Sequence, residues 1–418
     1  MINYKNGNLT VESVDVSKIV SEVGTPFYCY SYNKILDQYR GLAAALSSSK
    51  ISIYFAVKAN SNLSIIKTLA KEGAGADVVS LGEFKRCLIA GVDPKKIVFS
   101  GVGKTTEEIV EALNNDIFQI NVESEAELIN INEIAKSLGK VATIGLRGNP
   151  DVDAKTHEKI TTGKKENKFG IDLKDAPIFF SKASTLSNVS MKSLAVHIGS
   201  QLLELSPYKS AYKKIAEMTR YLRSTGHEIS HLDLGGGLGI PYSDEGLADL
   251  NAYNQIISET VGDLDCKLSI EPGRYLVGEA GMLITRVIYI KQGEQKKFVI
   301  VDGAMNDLIR PTLYDGFHAI VPVTEKNLSS QKSLCDVVGP ICESGDYFAK
   351  DRMLPEVSQN DLLAITCSGA YGAVMASNYN SRPLIPEVLV SNDVFSVIRE
   401  RQAFEKIIQD EKLAAWLQ

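Results

Sequence analysis

Four groups in this chain stand at comparable places, each at the end of a short apolar run. Lys58 follows ISIYFAV at 51–57, and His197 lies near the end of the run at 193–198. GGGLG at 235–239 follows HLDL, and Glu271 follows KLSI. A lysine there either marks a strand's exit into water or sits partly desolvated, where its amine gives up its proton and can form a Schiff base with a carbonyl. Glycines clustered ahead of a helix either make a flexible turn or offer backbone N–H groups to a phosphate. This run lacks the last glycine of a dinucleotide fingerprint in either register, at Ile240 or Tyr242, and lacks the Gly-Lys-Ser/Thr ending of a nucleotide loop. Glu271, in EPGR, either pairs with Arg274 at the surface or protonates and anchors a ring nitrogen. His197 is either a satisfied core histidine or a ring that stacks on another. Together the four supply an amine for an aldehyde, a phosphate cradle, an acid for a pyridine nitrogen and a stacking ring. That is the set pyridoxal phosphate requires.

Something must bring these strand ends to one place. From residue 31 apolar runs of strand length alternate with helical patterns. Strands are predicted at 51–57, 76–79, 97–100, 117–122, 141–146, 193–198, 231–234 and 267–270. Helices are predicted at 33–47, 63–71, 81–90, 105–114, 124–138, 174–185, 207–224 and 247–261. Buried parallel strands read as continuous apolar runs, and eight βα units in about 240 residues match a (β/α)8 TIM-type barrel. An open doubly wound sheet is the competing arrangement. A barrel places its chemistry at the C-terminal ends of its strands. Those ends carry Lys58 and Asn60, Asp77 and Ser80, Asn121 and Glu123, Arg147 and Asn149, His197 and Ser200, Asp233 with Gly235, Gly236, Gly237 and Gly239, and Glu271 with Gly273 and Arg274.

After Arg274 the pattern changes to short strands separated by turns, at 283–290, 297–301, 319–323, 335–338 and 362–366. The strand-like pieces 8–11 and 27–30 have no partner close by in sequence and are expected to pair at a distance. The division is therefore a barrel over 30–275 and a C-terminal all-β domain, 276–418, completed by N-terminal strands from 1–29. The polar stretch 151–168 reads either as a lid or as a plain exposed connection.

Composition narrows the partners. With 418 residues, 44% of them hydrophobic and 23% charged, two domains and an ordinary globular chain are the expectation. A net charge of −6 and the lack of a basic patch argue against nucleic acid. No apolar run approaches the roughly 20 residues that span a bilayer. The six cysteines are scattered without a C-x-x-C pair, which points to free thiols in a reducing cytoplasm and to no metal site.

The segments YFAVKAN, GADVVSLGE, HIGSQ, LDLGGGLGI and EPGR resemble the barrel-type pyridoxal-phosphate-dependent decarboxylases of basic amino acids, proteins of alanine racemase-like fold. GPICESGDYFAKDRMLP at 339–355 and GAYGAVMASNYNSRP at 369–383 resemble the diaminopimelate-decarboxylating branch of that family. The resemblance runs over nearly the whole chain. It implies decarboxylation of meso-diaminopimelate to L-lysine, the last step of lysine synthesis, in a cytoplasmic homodimer with shared active sites.

By the same resemblance Lys58 is the Schiff-base lysine and His197 stacks on the pyridine. Asp77, Ser200, Gly236, Gly237, Gly239, Gly273 and Arg274 help hold the cofactor, and Glu271 pairs with the ring nitrogen. Tyr371 reaches the phosphate or the substrate edge. Arg274, Arg310 and Tyr314 take the distal carboxylate, and Glu343 the distal amine end. Cys342, contributed by a neighbouring subunit, lies near the reacting carbon. The α-carbon proton comes from Cys342 or Lys58. Read alone, Arg310 and Tyr314 lie in a polar loop, and Cys342 is a buried structural thiol. The alternatives are an ornithine, lysine or arginine decarboxylase of the same fold, or a non-catalytic cofactor-binding homologue. A racemase would place arginine at the ring nitrogen, where this chain has Glu271.

Overall fold

The computed structural model describes residues 3–153, 168–243 and 245–417. The chain divides into Ile35–Leu276 and a second unit made of Met1–Lys34 with Val277–Gln418. The stretch proposed as a lid or exposed connection lies largely outside the described residues.

Among the described residues of Ile35–Leu276 nine strands run in parallel; Ile171–Asp172 adds only two residues against Ala142–Asn149, and the other eight are Ile51–Ala56, Gly75–Val78, Ile97–Phe99, Gln119–Val122, Ala142–Asn149, Val189–Ala195, His231–Asp233 and Lys267–Ile270. Each pairs with the next, and the eighth returns to the first through Leu268–Ile51, Ser269–Ser52 and Ile270–Ile53. The sheet therefore closes, as a (β/α)8 barrel requires and an open doubly wound sheet does not.

Local chemistry sets the helices between the strands. Helix Leu63–Lys71 starts where the Asn62 side chain accepts the Ser64 N–H. Helix Leu81–Ala90 is opened by Ser80, which accepts the Glu83 N–H, and is closed by left-handed Gly91. Thr105 and Glu108 form a reciprocal capping box on Thr106–Asn114.

One layer inside the barrel is polar. His231 Nδ1 lies 3.1 Å from Ser193 Oγ and 3.2 Å from Gln119 Oε1, and its Nε2 lies 2.9 Å from Ser269 Oγ. Gln119 Nε2 donates to Asn121 Oδ1 at 2.7 Å. These amides occupy the room that the missing side chain of Gly145 leaves. Burial lowers His231 to about 4, so it stays a neutral member of the network.

Two expectations need correction here. The helix expected at 247–261 starts three residues later, at Leu250, where Asp249 caps it. The fifth barrel strand extends to Asn149 and the sixth starts at Val189, each running beyond its most apolar stretch.

The second unit is built on Gly281–Gln292, a twelve-residue strand. Its first half pairs with Phe27–Ser31 and with Leu362–Ile365, and its second half with Lys297–Val301. Phe27–Ser31 also pairs in parallel with Glu387–Ser391, so the N-terminal strand is interior to this sheet, as a distant pairing requires. Leu9, Val11, Ile19, Phe27, Cys29, Met282, Ile284, Val323 and Val388 bury together beneath it. The piece at Asn8–Val11 differs from expectation: it pairs locally, with Asn3–Lys5 and Val14–Asp15, although Leu9 N–H also reaches Val323 O at 2.7 Å. Among the unexpected elements are the strands Tyr347–Pro355, Glu387–Ser391 and Val394–Arg399 and the helix Val16–Val23. Among the described residues no helix is long and apolar enough to cross a membrane.

Candidate functional site

Lys58 leaves the first barrel strand in a single 3-10 turn, Val57–Ala59. Its ammonium meets the Asp77 carboxylate from the end of the second strand at 2.9 Å. Asp77 is wholly buried, while a third of the Lys58 side chain stays open. The lysine is thus held by a fixed charge yet remains reachable.

On the neighbouring strands round the closed ring, the eighth strand, beside the first, ends in Glu271 and the seventh in Asp233. Both are buried, and their carboxyl groups lie within hydrogen-bonding reach of each other. Burial raises Asp233, and burial, then Asp233, then Asp77, raise Glu271 well above the usual carboxyl range. Two adjacent buried carboxyls cannot both ionise, so the pair retains a proton. Glu271 Oε1 and Asp233 Oδ2 have no hydrogen-bond partner among the described residues.

The glycines after strand seven are packed against backbone. A Cβ on Gly236 would be driven into the Glu271 carbonyl oxygen, and Gly237 has φ +103°. The loop is stitched to the one after strand six: Leu202 N–H donates to Gly237 O at 2.9 Å, and Gly239 N–H to Leu202 O at 3.0 Å. Gln201 clamps Ile240 through both its amide atoms, at 2.6 and 3.2 Å. Gly236 N–H donates to His197 Nδ1 at 3.2 Å, so that nitrogen carries no proton and the ring proton sits on Nε2. Burial, with Arg147 and Lys58 nearby, pushes His197 well below its ordinary value and keeps it neutral. Arg274 donates to Ser200 Oγ at 3.0 Å and to Tyr242 Oη at 2.6 Å, tying the ends of strands six and eight. A Cβ on Gly273 would crowd Ala59, beside Lys58. Lys58, Asp77, His197, Ser200, Gly236, Gly237, Gly239, Glu271, Gly273 and Arg274 therefore all sit at the C-terminal ends of the barrel strands or in the loops that follow them.

The second unit gathers the remaining candidates on three segments. Arg310 and Tyr314 do not lie in a loop: Arg310–Tyr314 is a short helix, which places them one turn apart on one face, with Arg310 buried. Cys342 and Glu343 lie on an exposed loop, so Cys342 is not the buried structural thiol that the residue alone suggested. Asp346 holds that loop, accepting the Ile341 N–H at 2.6 Å and the Met305 N–H at 2.7 Å. Thr312 donates to Gly345 O at 2.6 Å and joins helix to loop. Tyr371, at left-handed φ +56°, stands in the third segment, which reaches Cys342 through Asn380 Oδ1 at 3.0 Å. Tyr28, from the N-terminal strand, donates to Asp307 O at 2.6 Å and underpins the approach to the helix.

Sequence reasoning placed Asp233 and Arg147 at strand ends without giving them a role. The adjacency of strands seven and eight, already implied by the barrel, could have paired Asp233 with Glu271. Asp346 and Tyr242 carried no signal, because Asp346 works by holding backbone N–H groups and Tyr242 through Arg274, 32 positions away.

Residues 32–278 match the family model described as "Pyridoxal-dependent decarboxylase, pyridoxal binding domain". The chain is 46% identical to a diaminopimelate decarboxylase of Zymomonas mobilis, with 99% of each chain covered. It superposes on a crystal structure of diaminopimelate decarboxylase from Helicobacter pylori complexed with L-lysine with a TM-score of 0.91, at 45% identity, covering 94% of this chain and 98% of that one. The structure of the M. jannaschii enzyme in co-complex with L-lysine gives a TM-score of 0.95 at 38% identity, covering 100% of this chain and 99% of that one.

Proposed function

Because this chain belongs to the diaminopimelate decarboxylase family, we propose that it converts meso-2,6-diaminopimelate to L-lysine and carbon dioxide with pyridoxal phosphate as cofactor. The observation that carries this reading is the placing, at the ends of two neighbouring barrel strands, of a reachable lysine and a buried carboxyl. The cofactor fits the residues present. Glu271 Oε1 is a buried acceptor without a donor among the described residues, and a protonated ring nitrogen supplies one.

Pyridoxal phosphate, when bound, supplies an aldehyde for an amine and a ring that takes up the electron pair left by departing carbon dioxide. Lys58 would hold the cofactor through its aldehyde, and Asp77 fixes the lysine's position. Glu271, backed by Asp233, keeps a proton at the ring nitrogen. Neutral His197 covers the ring face. Ser200, Gly237 and Arg274 would hold the phosphate end; Gly236 and Gly239 give their N–H groups to His197 and Leu202 and, with Gly273, would shape the surroundings, while Tyr371 would reach the phosphate or the substrate. A guanidinium suits a carboxylate and repels an ammonium, so Arg310, with Tyr314 and Arg274, selects a substrate whose far end is a carboxylate. Glu343 takes the distal ammonium. The Cys342 thiol and the Lys58 ammonium are the two groups able to return a proton to the α carbon, and Cys342→Ala separates them.

Cys342 and Glu343 sit on an exposed loop, which supports a homodimer in which each subunit lends this loop to its neighbour. Specific activity should then fall on dilution below the dimer dissociation range; full activity in a monomer would remove the shared site. The deciding experiment for the reaction supplies meso-diaminopimelate and pyridoxal phosphate, follows carbon dioxide and identifies the amine product. L-lysine is expected. Carbon dioxide released from ornithine, lysine or arginine in preference would overturn the assignment of the arginines.

A further inference from the structure

We infer that His318 is a positioning residue for the carboxylate-binding arginine, aiming the Arg310 guanidinium through an imidazole fixed in one uncharged tautomer; this rests on the reading of Arg310 given above.

His318 is fully buried. Its Nδ1 lies 2.8 Å from Thr366 O, and its Nε2 lies 2.7 Å from Arg310 Nη1. A carbonyl oxygen only accepts, so Nδ1 carries the hydrogen. A guanidinium only donates, so Nε2 presents its lone pair. Both nitrogens are thereby committed, and an imidazolium would set one N–H against another. The imidazole is rigidly mounted. His318 O accepts from Arg352 Nη1 at 2.9 Å, and Thr366 N–H donates to Ala319 O at 2.9 Å. The strands that flank the pair, Ile320–Pro322 and Leu362–Ile365, are themselves hydrogen-bonded, with Ile320 opposite Ile365.

The choice of partner has a chemical consequence. A carboxylate in the place of His318 would orient Arg310 equally well, but it would neutralise the charge that the substrate carboxylate is drawn to. A neutral imidazole fixes the fork and leaves that charge in place. Arg310 thus keeps its charge for the substrate while it is aimed by an uncharged residue that need not touch the substrate.

The test uses the cofactor-loaded enzyme and steady-state kinetics with meso-diaminopimelate. H318L should raise KM about tenfold or more while kcat stays within about threefold, and H318Q, which keeps an acceptor for Arg310, should recover most of the loss. In the double variant R310L/H318L, KM should be no higher than in R310L alone, because the histidine acts only through the arginine. Visible absorbance of the bound cofactor and thermal melting check that each variant is folded. If H318L does not fold, H318Q against H318N carries the test, with the lower KM expected for H318Q. A wild-type KM in H318L, equal KM in H318Q and H318N, or additive effects in the double variant overturn the inference. An unchanged KM in R310L instead sinks the reading of Arg310 itself.

Discussion

The barrel and the β-rich unit position their functional groups by different physics. In the barrel, strand register does the work. Asp77, Asp233 and Glu271 sit at strand ends whose neighbours are fixed by the closed ladder, and the groups they serve are buried charges and protons. In the β-rich unit, Arg310, Cys342 and Tyr371 stand on a five-residue helix, a loop and a left-handed turn. They are aimed by individual hydrogen bonds from Thr312, Asp346, Asn380 and His318. The two histidines show the contrast in miniature. His197 accepts a backbone N–H at Nδ1, whereas His318 donates from Nδ1 to a backbone carbonyl. Each tautomer is set by what its own scaffold offers. On the proposed reading the barrel would hold the groups that meet the cofactor, and the β-rich unit would hold Arg310, Tyr314 and Glu343, which meet the far end of the substrate.

If that contrast is right, variants should rank accordingly. Lys58→Ala should lower turnover on the order of 10⁴-fold or abolish it, and remove the visible band of bound cofactor; a variant keeping both would move the covalent role elsewhere. Glu271→Gln should cut kcat by about 10²-fold or more. The same change should stabilise the cofactor-free protein at pH 8 by about 1–2 kcal/mol, because it removes a buried carboxyl whose ionisation the fold resists. The sign follows from the raised value of Glu271: above the ordinary carboxyl range the folded protein holds a proton that the unfolded chain releases, so its stability falls as pH rises towards the raised value. Melting temperatures of the apo protein against pH should show that slope in the wild type and a weaker one in the glutamine variant.

Arg310→Leu should spare kcat and raise KM some 10–150-fold, the equivalent of a charged hydrogen bond of ~1.5–3 kcal/mol. A large loss in kcat with KM unchanged would make Arg310 part of the chemistry and break the division between the two units. The smallest effect belongs to Thr312→Val, which removes one hydrogen bond between helix and loop. It should cost about 1 kcal/mol, roughly fivefold in kcat/KM, and a cost matching that of Lys58→Ala would show the loops to be as indispensable as the barrel ends.

The barrel was legible because its strands are buried on both sides and its helices carry ordinary caps; Leu63–Lys71, Leu81–Ala90 and Lys267–Ile270 fall where the pattern put them. The β-rich unit was less so. Tyr347–Pro355 interrupts its apolar pattern with Lys350, Asp351 and Arg352, and Asp351 is left-handed where the register to Lys332–Val338 shifts. The hairpin of Glu387–Ser391 and Val394–Arg399 does carry a signal, Asn392-Asp393 between two strands rich in β-branched residues. His318 carried none. Eight residues separate it from Arg310 across a chain reversal at left-handed Asp315, and no periodicity encodes that contact. Side chains aimed by strand order can be read from a sequence, whereas those aimed by single hydrogen bonds between loops cannot.

The placing of Phe27–Ser31 between Gly281–Gln292 and Glu387–Ser391 constrains the order in which the protein can be made. During synthesis this apolar strand leaves the ribosome hundreds of residues before its second partner. At about 5–20 residues per second it waits on the order of tens of seconds with unpaired edges. The whole barrel is translated within that interval and can close first, so the β-rich unit is completed only near chain release. Nascent chains should accordingly keep Cys29 open to alkylation until residues past 391 emerge, and any slowing of the last hundred codons lengthens the time an aggregation-prone edge stands exposed.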